Sequence, residues 1–157
     1  MKKSLLITVT FLLFNTIAFT QPGKLNRANR HFEKGNYDKA IVLYEKAFEK
    51  EKREDRAKNN ASKINGIHAA IKTENYDNAE LWLGQVIHIQ GTPVECRLYY
   101  ATCLGLNGKC DLGKYALMKY QEKVGSDERI VPVEDFLKQA CWKKESKFDW
   151  SKIIVNQ

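Results

Sequence analysis

The sequence predicts an all-α fold, a stack of about three helical hairpins closed by a C-terminal helix. Three observations predict it. The stretch Gly35-Asn36-Tyr37-Asp38-Lys39-Ala40 returns thirty-nine residues later as Glu74-Asn75-Tyr76-Asp77-Asn78-Ala79, with Asn, Tyr, Asp and Ala in register. Apolar residues flank both copies at helical spacing: Leu25, Ala28 and Phe32 before the first, Ile64, Ile67 and Ile71 before the second. Thirty-four residues further on, Leu98, Ala101 and Gly105 lead into the turn Asn107-Gly108-Lys109-Cys110-Asp111, followed by Gly113, Leu117 and Tyr120. A turn that keeps its register between periodic segments marks a helical repeat.

The chain opens on Met1-Lys2-Lys3, then an apolar run from Leu5 to Phe19, then Ala18-Phe19-Thr20 ahead of Gln21. Charged, apolar and small in that order is the pattern of a signal peptide. Residues 1–20 are therefore expected to be removed, with an uncleaved membrane anchor as the alternative. The run falls short of the roughly 18–20 apolar residues a spanning helix needs. The first cysteine is Cys96, so no cysteine near the cut offers a site for lipid.

The remaining chain is expected to form one helical domain over residues 22–145 and a tail over residues 146–157. Pro22-Gly23 precedes a first helix over about 24–34. The second helix runs from about Tyr37 into the charged stretch near Arg56, and extra residues in that helix or in the linker account for the longer first spacing. Helices follow over about 62–72, 76–89, 94–106 and 111–124. Gly35 and Gly91 suit helix C-termini, and Asn36 or Asp38 suits an N-cap. Arg129-Ile130-Val131 is expected to be extended before Pro132. A last helix from Val133 to about Lys144 then covers the end of the stack. Pro132-Val133-Glu134, Leu137 and Ala140 echo Pro93-Val94-Glu95, Leu98 and Ala101, so this helix reads as half a repeat. The tail carries Phe148 and Trp150 and then a β-prone run. It is expected either to lie across the last helices or to be the beginning of something longer.

The first copy, with Ala28, Gly35, Tyr37, Ala40, Tyr44 and Ala47, resembles the tetratricopeptide repeat family. The second copy keeps Tyr76 and Ala79 but has Glu74 for the glycine. The third keeps Ala101 and Gly108 but has Cys110 for the tyrosine and Gly113 for the alanine. The resemblance covers roughly residues 22–145. It implies a superhelical stack whose first helices line a concave, protein-binding surface, and it places Asn29, Glu33, Asn65, His68, Lys72, Tyr99 and Thr102 there. Helical spacing agrees, since Asn29 and Glu33, like His68 and Lys72, are four apart and share a face. A polar groove with one aromatic suits an extended peptide better than an amphipathic helix. The order of leader, repeats, cysteine-bearing last helix and Ile/Val-rich end is also similar to the N-terminal part of certain Bacteroidetes-type envelope proteins. In those proteins a β-propeller and an OmpA-like domain follow, and neither is expected within these 157 residues.

The chain carries a net charge of +7, with acidic and basic residues interleaved rather than blocked. That pattern fits solvated helix faces and argues against nucleic acid as a partner. His31, His68 and His88 lie on separate helices without metal-ligand spacing, and there is no phosphate loop or nucleophile elbow. No enzyme, metal or cofactor is expected.

Four cysteines in an exported chain permit disulfides. Cys96 and Cys103 are about 10.5 Å apart along one helix and cannot bridge. Cys103–Cys110 with Cys96–Cys141 remains if all four pair. A single Cys103–Cys141 bond and four buried thiols are the alternatives. The reading is an exported protein- or peptide-binding scaffold of the cell envelope, in the periplasm or at the outer membrane. Its alternative is a structural component, or truncated relative, of a peptidoglycan-anchored outer-membrane or secretion assembly.

Overall fold

The computed structural model describes residues 21–140 and 147–154. The proposed leader, Cys141, the end of the last expected helix and residues 155–157 lie outside the described residues. Seven α-helices are described: α1 (Gln21–Glu33), α2 (Tyr37–Phe48), α3 (Asn60–Lys72), α4 (Tyr76–Val86), α5 (Cys96–Leu106), α6 (Cys110–Val124) and α7 (Ile130–Ala140). Short 3-10 turns occur at Arg53–Asp55 and Trp150–Lys152. The described residues include no strand.

Helices α1/α2, α3/α4 and α5/α6 form three hairpins. Stacking follows from the apolar stripe that each hairpin leaves uncovered. Helix α3 packs on both α1 and α2, α5 on α4, and α7 on both α5 and α6.

The hairpin turns share one hydrogen-bond pattern. At the end of α1, Gly35 N–H donates to the Phe32 carbonyl and Asn36 N–H to that of His31, both at 2.9 Å. Glu74 and Asn75 repeat this with Ile71 and Ala70, and Gly108 and Lys109 with Gly105 and Leu104. These are Schellman ends, which need a left-handed residue at the central position. Gly35, Glu74 and Gly108 have φ of 70°, 56° and 73°. Asn75 caps α4 by accepting from Asn78 N–H, whereas the side chain of Asn36, one of the two expected caps of α2, makes no cap bond.

The repeated small residues set the helix spacing. Ala28, Ala40 and Ala79 are wholly buried, as are Tyr44, Leu83 and Val86 on the same helix faces. In the third hairpin Gly113 stands where the others have alanine. A Cβ there would lie 2.8 Å from Leu137 Cδ2, and one at Gly105 would lie 2.5 Å from the same atom. The two glycines therefore form the socket that seats Leu137 of α7, which explains why the third copy departs from the other two.

Two expectations are corrected. Helix α2 ends at Phe48 instead of continuing toward Arg56. Glu51 on the following segment turns inward to Lys63 of α3, and both side chains are almost wholly buried. The Lys63 ammonium donates to the Glu51 carboxylate and to Gln85 Oε1 at 2.7 Å, and lies 4.7 Å from the Phe48 ring centre. The longer first spacing thus supplies an ion-pair partner rather than extra helix. Second, Ile130 and Val131 begin α7 instead of an extended stretch. Pro132 is tolerated because first-turn N–H groups have no acceptor within the helix. The tail, with a 3-10 turn at Trp150–Lys152, lies across α5 and α7, the first of its two expected placements.

Arg129 and Asp127 clamp the α6–α7 connection. The Arg129 guanidinium donates to Asp127 Oδ2 at 2.7 Å and to the Tyr120 hydroxyl at 3.0 Å, and that hydroxyl donates to Asp127. The guanidinium first, and the phenol next, hold the Asp127 carboxyl well below the usual carboxylate range.

Candidate functional site

The face of the stack formed by α1, α3 and α5 carries the seven residues expected to meet a partner. They divide into three groups. Asn29 and Asn65 serve the fold. Asn29 Oδ1 accepts from the Tyr44 hydroxyl at 2.6 Å, and its amide donates to Ser62 Oγ at 3.1 Å, so it ties α1 to α2 and α3. Asn65 stands beside the same hydroxyl, and burial raises the pKa of that phenol above its ordinary value. Thr102 is fully buried and donates to the Leu98 carbonyl at 3.0 Å, so its hydroxyl does not face solvent. Glu33 and Lys72 are exposed, each at the last residue of its helix.

His68 and Tyr99 form the third group. Their rings meet edge to face at 5.8 Å, joining α3 to α5. Burial first, and then Lys72, lower the His68 pKa, so its imidazole is held neutral at neutral pH. Burial first, and then Glu95, push the Tyr99 phenol up to about 12. These groups are displaced away from acid–base work near neutral pH.

The sequence did not reveal what covers this pair. Trp150 lies 6.1 Å from Tyr99 edge to face and 6.2 Å from Tyr76 in a stacked orientation. Phe148 packs on Trp150 at 5.5 Å and on Phe136 of α7 at 5.1 Å. Ile153 is buried in the common core. Residues 148–153 therefore run over α7 and α5 to the start of α4. The only sequence signal for this was two large aromatics in a segment without repeat periodicity.

Cys96 and Cys103 are free, buried thiols. Burial is the main cause that raises both pKa values, to about 12 at Cys96 and further at Cys103. The pairings Cys103–Cys110, Cys96–Cys141 and Cys103–Cys141 are accordingly not made. Cys110 is disulfide-bonded, and Cys141 is outside the described residues. Among the described residues no His, Cys, Asp and Glu side chains cluster to hold a metal ion. No described helix is long and apolar enough to cross a membrane.

A separate cavity of about 480 Å³ opens between α4 and α6 over α5. Tyr100, Leu104, Leu112 and Tyr115 line it with basic residues at the rim, and Leu112 and Tyr115 are more than half exposed.

Fold and face together define an all-α stack of helical hairpins with an aromatic seat at one end, covered by the chain's own C-terminal segment. No family model matches the chain, and no curated protein or solved structure matches it either.

Proposed function

We propose that the chain is an exported protein of tetratricopeptide type that holds a partner protein, as an extended peptide, on the face formed by α1, α3 and α5. The observation that carries this reading is the occupancy of that face. A short segment with a single 3-10 turn, rather than an α-helix, lies against the Tyr99 seat. At the ends of α1 and α3, the exposed Glu33 and Lys72 offer one charge of each sign. Ring contacts to a short segment of this kind suit a peptide better than a long amphipathic helix. The absence of phosphate-loop and nucleophile motifs and the upward-shifted thiols favour binding over catalysis. The basic, apolar, small order of residues 1–20 supports export, with a mature chain beginning at Gln21 in the periplasm or at the outer membrane.

The test is capture from an envelope extract by the immobilised protein. Glu33→Lys combined with Lys72→Glu should abolish capture and leave helicity intact. The matched change on the opposite side, Lys114→Glu with Glu122→Lys, should not. Asn65 is a poor probe because it stands against Tyr44. Equal loss in both variants, or loss in neither, would refute the assignment of the face.

A further inference from the structure

The residues that cover Tyr99 belong to the same chain, and their chemistry specifies what the seat accepts. Phe148, Trp150 and Ile153 are the tail residues packed against the core together with Ile154. Their spacing is i, i+2, i+5. Trp150 touches Tyr99 and Tyr76 through its ring, and Phe148 touches Phe136.

The hydrogen bonds of Asp149–Ile154 among the described residues stay within the tail. Asp149 Oδ1 accepts from Ser151 N–H at 3.1 Å and from Ser151 Oγ at 2.6 Å, while Ile153 and Ile154 N–H donate to the Trp150 carbonyl. The segment thus sets its own bend, and rings and aliphatic side chains attach it to the helices. The buried Trp150 indole N–H lies beside the Tyr76 hydroxyl. The covering segment is held chiefly by shape and apolar contact.

We propose that residues 148–153 are a built-in ligand of the seat formed by Tyr76, Tyr99 and Phe136. The partner this end of the face takes is a short segment of the pattern aromatic–x–Trp–x–x–aliphatic, bent as the tail is, which must displace the tail to bind. The inference rests on the peptide-binding reading above and adds the class of peptide and the competition that gates it. A tail tethered in cis competes at a high effective concentration, so the seat is closed to weak peptides and open to those that also engage Glu33 and Lys72.

The probe is a fluorescein-labelled peptide of the sequence Lys147–Ile154, followed by anisotropy with the full chain. Phe148→Ala combined with Trp150→Ala empties the seat without touching the helices. This variant should bind the peptide at least ~10-fold more tightly than wild type, because the cis competitor is gone. A peptide with alanine at the tryptophan position should not bind. Equal affinity in both proteins, or equal binding of the alanine peptide, overturns the proposal and makes the tail a structural cap. Should the double variant lose helicity, the wild-type chain decides. Excess unlabelled peptide should shift the Trp150 indole N–H resonance toward that of free tryptophan, and an unmoved resonance overturns the proposal. A doubled mass in solution for wild type, lost in the double variant, also overturns it, since the tails would then be exchanged between two copies. If the peptide fails while capture still depends on Glu33 and Lys72, this inference falls and the binding face stands. If the peptide binds while capture ignores those residues, the seat stands and the wider reading falls.

Discussion

Replacing Glu74 with glycine should stabilise the protein. Glu74 is the one non-glycine described residue with positive φ, and it occupies the left-handed position filled by Gly35 and Gly108 in the equivalent turns. Its turn hydrogen bonds, at 3.2 and 2.8 Å, match those of the glycine turns, so the substitution leaves the Schellman geometry in place. An L-residue in this region costs about 1–2 kcal/mol through the clash of Cβ with the following carbonyl. Glycine returns about 0.5–1 kcal/mol of this through the greater freedom of the unfolded chain. The net gain is about 0.5–1 kcal/mol, or roughly 1–4 °C in Tm for a chain of this size. Gly35→Ala is the mirror experiment. No atom lies within 4 Å of a Cβ built at Gly35, so its cost is conformational rather than steric. Urea denaturation of the two variants and of Glu74→Ala measures the set. Glu74→Gly should move the midpoint up, Gly35→Ala down, and Glu74→Ala little. A Glu74→Gly midpoint at or below wild type, beside a costly Gly35→Ala, would show that the second turn is not equivalent to the first.

Ala79 is fully buried, so Ala79→Leu should overpack the second hairpin and cost roughly 1–3 kcal/mol by denaturant titration. Lys63→Met strands the buried Glu51 carboxylate and should cost about 3–5 kcal/mol, whereas Lys63→Met with Glu51→Met should recover most of it. Asp127 has a depressed folded-state pKa, so its contribution is fully present above the unfolded value near 4 and is lost as pH falls through the lower, folded one. Asp127→Asn should therefore be less stable than wild type at pH 7, with the gap closing steadily below about pH 4 in urea titrations.

The repeated turn made the hairpins legible because two physical demands coincide there. A left-handed residue ends one helix, and a small residue lets the next cross close by. Gly35, Ala40 and Ala79 satisfy these demands locally, and local pattern is what a sequence displays. The end of α2 was not legible because Glu51 leaves the helix to meet Lys63, twelve residues away, and no periodicity records a long-range ion pair. The same holds for the glycine in place of alanine at Gly113, whose reason is Leu137 of α7. At the site, the resemblance to a helical repeat placed His68 and Tyr99 on one face but did not show that Asn29 and Asn65 were committed to Tyr44 or that Thr102 pointed inward. The tail's two large aromatics allowed the placement across the last helices that the structure shows, but a segment without periodicity did not say which rings would receive them.

Site-specific photo-crosslinking in the envelope tests the central claim most directly. A benzophenone side chain placed at Lys72, on the α1/α3/α5 face, should cross-link to a polypeptide partner. The same group at Lys114 on α6, exposed on another side, should not. The Lys72 cross-link should weaken when an excess of the tail peptide is added. Cross-links of equal strength from both positions, or from Lys114 alone, would contradict the assignment of this face as the peptide-binding surface.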